Sequence, residues 1–378
     1  MLTGCISNCR SIIKAVAGGD TDHSGLPWLV SPPASNNLKC ALFTRILIAV
    51  SFLCIAFTVN AQQKRFSFTE LKMGSPFTII LYSGNSARAT LLAGQCFNLV
   101  DSFVFIFSDY IDSSELSKLS AAAGSSLSVS ISPAMFDILL QSKKAFDKSE
   151  GAFDITIGPL SKLWRKSRKA KQFPADDTVQ AIKKLIGFNK LILDTINKKV
   201  TLTQPGMKLD LGGIAQGYIA QKVIDFLHSQ NINHALVNAS GDIVMSGAPP
   251  GLNGWTIGIN LPERTDELLS RTLLIQQKAV TTSGDAYQFT EHGGKKYSHI
   301  IDPRTGYGVT WQRNVTAIAN DGTTADWLAT ACSILSIKKA KRLAAALGAE
   351  VLIAEIKKDK LVFHSTKGFA TYWKLAEQ

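Results

Sequence analysis

The sequence predicts an α+β fold, and three observations carry that reading. Helical and strand-like segments follow one another without strict βαβ alternation. The stretch 235–301 reads almost wholly as strands, with helices before and after it. No internal repeat appears at solenoid or propeller spacing. With 46% hydrophobic and 19% charged residues, the 378-residue chain can bury a sizeable core and does not have the composition of a disordered one.

The elements follow in order. Residues 77–82 (FTIILY) read as a buried strand entered through Met73-Gly74-Ser75-Pro76, and the apolar-rich stretch 86–107 as a long helix. Ser132-Pro133 supplies an N-cap and a first-turn proline for a helix that stops near Gly151. Asp176 or Asp177 starts a short helix ended by Gly187. Residues 191–193 and 200–202, joined through Asn197-Lys198, read as a hairpin. Residues 213–228 form an amphipathic helix with Ala220, Val223, Ile224 and Leu227 on one face. Thr323 opens a final helical region that continues through Leu347, and a strand pair near 351–356 and 360–363 closes the chain.

Residues 1–61 stand apart from this fold. Lys39 and Arg45 precede an apolar run, 46–59, and Val59-Asn60-Ala61 then meets the polar residues 62–65. A basic flank, a short apolar stretch and small residues before a cut describe a secretory signal cleaved after Ala61, with an uncleaved membrane anchor as the alternative. The run falls short of the roughly 20 residues of a comfortable span. Four of the six cysteines lie in this part, so only Cys96 and Cys332 remain beyond it; both sit in apolar helical patterns and are read as buried thiols. The net charge of +12 suits an anionic ligand or surface, yet no dense basic run interleaved with aromatics is apparent, and nucleic acid is not the expected partner.

Five constellations could carry chemistry. In DLGGIAQG (210–217), glycines before a helix let a ligand approach free backbone N–H groups that attract phosphate; close helix packing explains them equally well. Asp210 could accept from a ligand or cap that helix near Gly213. In TTADWLAT (323–330), Asp326 and Thr330 share a helical face and offer hard oxygen donors suited to Mg²⁺, although an ordinary first-turn Asp and Thr would look the same. In SHIIDPRTG (298–306), His299 ends a strand beside a turn, where it could move a proton at neutral pH or be merely structural. GAFDITIGPL (151–160) reads as a bounded loop or strand and TSGDAY (282–287) as a polar turn. No HExxH zinc spacing, GxSxG elbow, Walker A loop or Rossmann GxGxxG occurs.

No one of these motifs decides the function, but their order does. Met73-Gly74, Phe107-Ser108-Asp109-Tyr110 with Ser114-Glu115, GAFDITIGPL, DLGGIAQG, SGD, HIIDPRTG and ADWLAT follow one another as in the FAD:protein FMN transferase (ApbE) family, which the chain resembles over residues 66–376. The resemblance implies mixed sheets and helices of the ApbE/T-fold-like type, with FAD and Mg²⁺ in a central cleft of a domain spanning 62–378. It implies transfer of FMN from FAD to a Thr or Ser hydroxyl of a target flavoprotein subunit, with release of AMP. Met73 and Tyr110 would line the flavin. Ala152, Phe153, Asp154, Asp210 and His299-Ile300 would contact FAD. The carbonyl of Gly213, Asp326 and Thr330, with the carbonyl of Ala329, would hold Mg²⁺. His299 is the first candidate to take the acceptor's proton, and Asp285 or Asp302 the second. Two positions depart from the family pattern: Gln216 stands where Lys is common, bringing no charge to the ligand, and Ser240 replaces a common Gly.

The resemblance also implies a setting: an exported protein on the periplasmic side of the inner membrane, soluble or anchored by 46–59, acting on a subunit of a membrane redox complex. Two other functions fit the same residues, an exported pyrophosphatase splitting FAD into FMN and AMP, and a flavin-binding protein without catalysis. Nothing in the sequence sets the oligomeric state.

Overall fold

The structure is a computed structural model that describes residues 63–125, 127–261, 264–284 and 289–375. The chain begins with a hairpin, β1 (Lys64–Lys72) and β2 (Ser75–Ser83), and the long helix α1 (Ser86–Phe107). Next come α2 (Glu115–Ala121), β3 (Val129–Ser130), α3 (Pro133–Lys148), α4 (Gly158–Ala170), α5 (Asp176–Lys183), β4 (Leu191–Asp194) and β5 (Lys199–Leu202). Helix α6 (Ala215–Ser229) leads into the strand-rich part: β6 (Ala235–Ala239), β7 (Asp242–Met245), β8 (Trp255–Ile257), β9 (Asn260–Leu261), β10 (Arg264–Leu268), β11 (Leu273–Ile275), β12 (Ala279–Ser283), β13 (Phe289–His292), β14 (Lys295–Ser298) and β15 (Arg313–Ala319). Helices α7 (Gly322–Ile334) and α8 (Ile337–Ala346) and strands β16 (Glu350–Lys357) and β17 (Lys360–Ser365) complete it.

An eight-stranded sheet in the order β1-β2-β6-β7-β12-β15-β16-β17 organises the domain, and every neighbouring pair in it is antiparallel. The sheet is apolar on both faces, because alternate residues of its central strands enter different cores. Ile79, Val237, Val244, Ala317 and Val351 face the large core, whereas Leu236, Met245, Val280, Ile318 and Leu352 face a smaller one capped by Trp255, Leu273 and Phe369. Helices α1, α6, α7 and α8 pack on the first face. Helix α1 does so through Ala89, Leu92, Ala93, Cys96, Phe97 and Val100, a stripe at helical spacing, and the Asn85 side chain accepts from the Arg88 amide at its start.

Most predicted elements form at or near their predicted limits. Ser132 caps α3 by accepting from the Met135 amide, and Asn197-Lys198 lies in the turn between β4 and β5. Cys96 and Cys332 are free and buried, and burial pushes both thiols up to about 12. Three boundaries differ. Helix α6 starts at Ala215, because residues 212–214 turn first. The final helical region is two helices, broken at Leu335-Ser336, where Ser336 caps the second. The third difference matters most: GAFDITIGPL is not a loop or strand throughout, since Gly158-Pro159-Leu160 is the first turn of α4, with proline in the turn that lacks a use for its N–H.

Candidate active site

A cavity of about 370 Å³ opens where α4, the start of α6, one side of α7 and the ends of β7, β12 and β14 converge. Its most unusual feature is a pair of buried carboxyls, Asp242 at 6% exposure and Asp326 at 5%. Asp242 accepts from the Thr281 hydroxyl at 2.6 Å, and Asp326 accepts from the Gly217 amide at 2.9 Å. Burial pushes Asp242 up to about 7, and burial together with the charge of Asp242 pushes Asp326 well above 3.8. No Lys or Arg charge among the described residues offsets them. Two carboxyls destabilised in their charged form by each other are the electrostatic preparation for a cation.

Close helix packing brings Asp326 there. A Cβ on Gly217 would lie 2.1 Å from the Gly322 carbonyl oxygen and 2.6 Å from the Asp326 Cβ, so α6 and α7 touch backbone to backbone. Asp326 then serves as the cap that α6 lacks, its own N-cap residue Ile214 having no capping side chain. The glycines of DLGGIAQG thus divide their tasks: Gly217 permits packing, while Gly212 and Gly213 line the cavity. Gly213 lies against Thr330, whose hydroxyl would be 3.0 Å from a Cβ placed there, and against the Phe153 ring. Two carboxylates, a hydroxyl and a loop carbonyl are the hard oxygen donors that Mg²⁺ takes, so the residues fit that ion. Among the described residues no cluster of three His, Cys, Asp or Glu side chains forms.

Helix α4 builds another wall. Arg165 reaches Asp109 at 2.6 Å and Asp210 at 3.1 Å, and its guanidinium lies 4.6 Å from the centre of the Tyr110 ring. Tyr110 itself is 78% exposed at the cavity's edge. Asp210 does not cap α6; its other oxygen accepts from the Gly212 amide, holding the glycine turn. Asp154 accepts from the amide and the hydroxyl of Thr156, and burial nevertheless raises its pKa. Ala152, Phe153 and Gln216 also line the cavity.

His299 and Ile300 follow β14 and line the cavity as well. Their approach is set by an aromatic cluster in which Trp164 of α4 stacks on Tyr297 and donates its indole N–H to the Gly306 carbonyl at 2.9 Å. Gly306 adopts φ +87°, a conformation that suits glycine in this Asp-Pro-Arg-Thr-Gly turn. Asp302 is not available as a base: Arg304 donates to both its oxygens, and it does not line the cavity. Asp285 lies outside the described residues. Met73 forms the β1–β2 turn at φ +53° and packs on the large core without lining the cavity. Ala329 is buried within α7; its carbonyl accepts from the Ser333 hydroxyl, and it too stays away from the cavity lining.

This arrangement has known counterparts. The sequence profile of the ApbE family matches residues 73–353. The chain belongs to the ApbE family. An FAD:protein FMN transferase of Klebsiella pneumoniae (strain 342) is 34% identical over 280 residues, covering 74% of this chain and 85% of the relative. One of Treponema pallidum (strain Nichols) is 31% identical over 316 residues, covering 79% and 87%. Among solved structures, the flavin transferase ApbE from Vibrio cholerae superposes with a TM-score of 0.73 at 25% identity, over 82% of this chain and 99% of that one. The Pseudomonas stutzeri flavinyl transferase ApbE does so with 0.73 at 26%, over 82% and 97%. The mixed helix-and-sheet architecture is therefore that of ApbE flavin transferases.

Several cavity residues of this ApbE-family chain escaped the sequence reading. Asp242 stood in the SGD motif, but nothing local marks it as the partner of a carboxylate 84 positions later. Arg165 and Arg168 belong to the basic run 165–171, whose helical spacing went unread because the preceding motif looked like a loop. The Ser240-Gly241 turn between β6 and β7 takes φ +58° and +104°, which is why glycine suits position 240 and why Ser is strained there.

Proposed function

We propose that this ApbE-family chain is a Mg²⁺-dependent FAD:protein FMN transferase that moves FMN from FAD onto a Thr or Ser hydroxyl of a flavoprotein acceptor and releases AMP. The observation that carries the reading is the buried Asp242–Asp326 pair beside the glycine turn and first turn of α6. Relatives bearing that activity name cover most of the chain and support it.

Asp242, Asp326, Thr330 and the Gly213 carbonyl would hold Mg²⁺. Bound there, Mg²⁺ neutralises charge on the diphosphate and on the leaving phosphate of AMP. No bond from the amides of Gly213 and Gln216 is made among the described residues, and both residues line the cavity at a helix start, a position that favours a diphosphate. Arg165 fixes Asp210 and Tyr110, and with them the edge where the isoalloxazine would lie. The acceptor oxygen forms a bond to the FMN phosphorus as the bond to the AMP oxygen breaks, and His299 takes the acceptor's proton. Positioning and charge stabilisation dominate such a step.

Export, with residues 1–61 as leader or anchor and 62–378 as the working domain, and an acceptor in a membrane redox complex are parts of the same proposal. The test is incubation of the chain with FAD, Mg²⁺ and a candidate acceptor domain. Covalent in-gel flavin fluorescence together with AMP supports the transferase. AMP without fluorescence replaces it with a hydrolase, and bound flavin without either product replaces it with a carrier.

A further inference from the structure

Among the described residues the cavity carries more carboxyl groups than cations: Asp109, Asp154, Asp210, Asp242 and Asp326 line it, against Arg165, Arg168 and His299. Arg165 is already engaged by Asp109 and Asp210. At the start of α6 the lining residue is the neutral Gln216, so that helix end brings partial charge only.

Arg168 is different. Ile157, Ser161, Arg165 and Arg168 all line the cavity, at spacings of four, four and three, so one face of α4 forms a wall and carries Arg168 on it. Among the described residues no carboxylate pairs with Arg168, and partial burial beside Arg165 holds its pKa below the usual arginine value. Its guanidinium is thus a half-buried cation that feels the repulsion of Arg165. The wall it stands on is close to the carboxylate pair. Asp210 touches Arg165 and Gly213 touches Thr330, and three residues of chain reach at most about 11 Å. One diphosphate-bearing ligand can therefore meet both.

We propose that Arg168 is the fixed cation that receives a phosphate of the dinucleotide, supplying from α4 the charge that Gln216 does not supply from α6. This rests on the FAD reading above and adds to it a named recognition residue. A planar guanidinium with several donors suits a phosphate, and the partial burial of Arg168 strengthens such a contact over one at a fully exposed side chain.

The test uses the full chain and a ligand series: riboflavin, which has no phosphate, and FMN, ADP and FAD, each titrated in EDTA and in Mg²⁺. Flavin fluorescence and calorimetry give the dissociation constants. Arg168→Gln is expected to weaken FAD and ADP about tenfold, the equivalent of about 1.4 kcal/mol, and to leave riboflavin unchanged. Arg168→Lys recovers part of the loss, and adding Gln216→Lys to Arg168→Gln recovers most of it. Unchanged FAD and ADP binding overturns the proposal. So does an equal loss for riboflavin, which would mean a distorted cavity. A raised KM for the acceptor protein with unaltered FAD binding also overturns it, placing Arg168 against the acceptor instead. If the unsubstituted chain binds no FAD, the flavin reading itself falls; normal binding by the variant sinks Arg168 alone.

Discussion

Asp326→Asn should make the metal-free protein more stable while abolishing the proposed Mg²⁺-dependent transfer. The substitution keeps the side chain's shape and an oxygen for the Gly217 amide, and it removes one of two facing buried charges. An unfolded aspartate titrates near 3.8, whereas Asp242 in the metal-free fold titrates near 7. That gap of about 3 units corresponds to about 4 kcal/mol at roughly 1.36 kcal/mol per unit. The folded pKa is the higher one, so the fold binds protons more tightly than the unfolded chain. Asp242 therefore costs nothing below pH ~4, costs progressively more as pH rises to ~7, and imposes its full penalty above that, while Asp326, raised in the same direction, adds to the loss as pH rises. Asp326 is raised by its own burial and by the charge of Asp242, so removing its charge relieves a penalty of the same sign. Urea denaturation in EDTA at pH 5 and pH 8 reads this directly. The unsubstituted chain should lose stability between the two pH values more steeply than the variant. At pH 8 the variant should be the more stable, and Mg²⁺ should raise the midpoint of the unsubstituted chain only. A variant less stable at pH 8 in EDTA, or one still stabilised by Mg²⁺, would refute the electrostatic account of this site.

Three further outcomes are expected. Gly217→Ala forces a Cβ to within 2.1 Å of the Gly322 carbonyl, where neither backbone can yield cheaply, and should destabilise the fold by about 3 kcal/mol in urea titrations. His299→Ala should lower single-turnover FMN transfer at saturating FAD by about 100-fold or more, the loss expected when the proposed proton acceptor is removed. Thr281→Val removes the hydroxyl that orients Asp242 and should weaken Mg²⁺ binding about tenfold, measured by calorimetry, with the sheet intact.

What the sequence disclosed follows from the range over which each signal acts. The 86–107 helix, the Ser132-Pro133 start and the hairpin around Asn197-Lys198 rest on local periodicity, capping and turn chemistry, and all three form as read. Helix α4 was hidden because the glycine and proline that open it also look like loop punctuation. Met73 shows the opposite limit: its place in a motif order put it beside the flavin, while the two-residue turn it occupies directs it to the large core.

The carboxylate pair explains why the site was only half legible. Asp326 could be singled out from its helix because a helical face is a local property. Asp242 could not, since its significance arises only when β7 and β12 pair and Thr281 comes opposite it in register. The sheet places Asp242 and the close packing of α6 on α7 places Asp326, and burial raises the cost of both charges. On the proposed reading, a bound cation would offset that cost. Stability and activity at this site should then oppose each other in the metal-free chain and align once Mg²⁺ is present. Charge-removing substitutions of Asp242 and Asp326 should share that reversal, whereas substitutions on the α4 wall, which carries cations, should not.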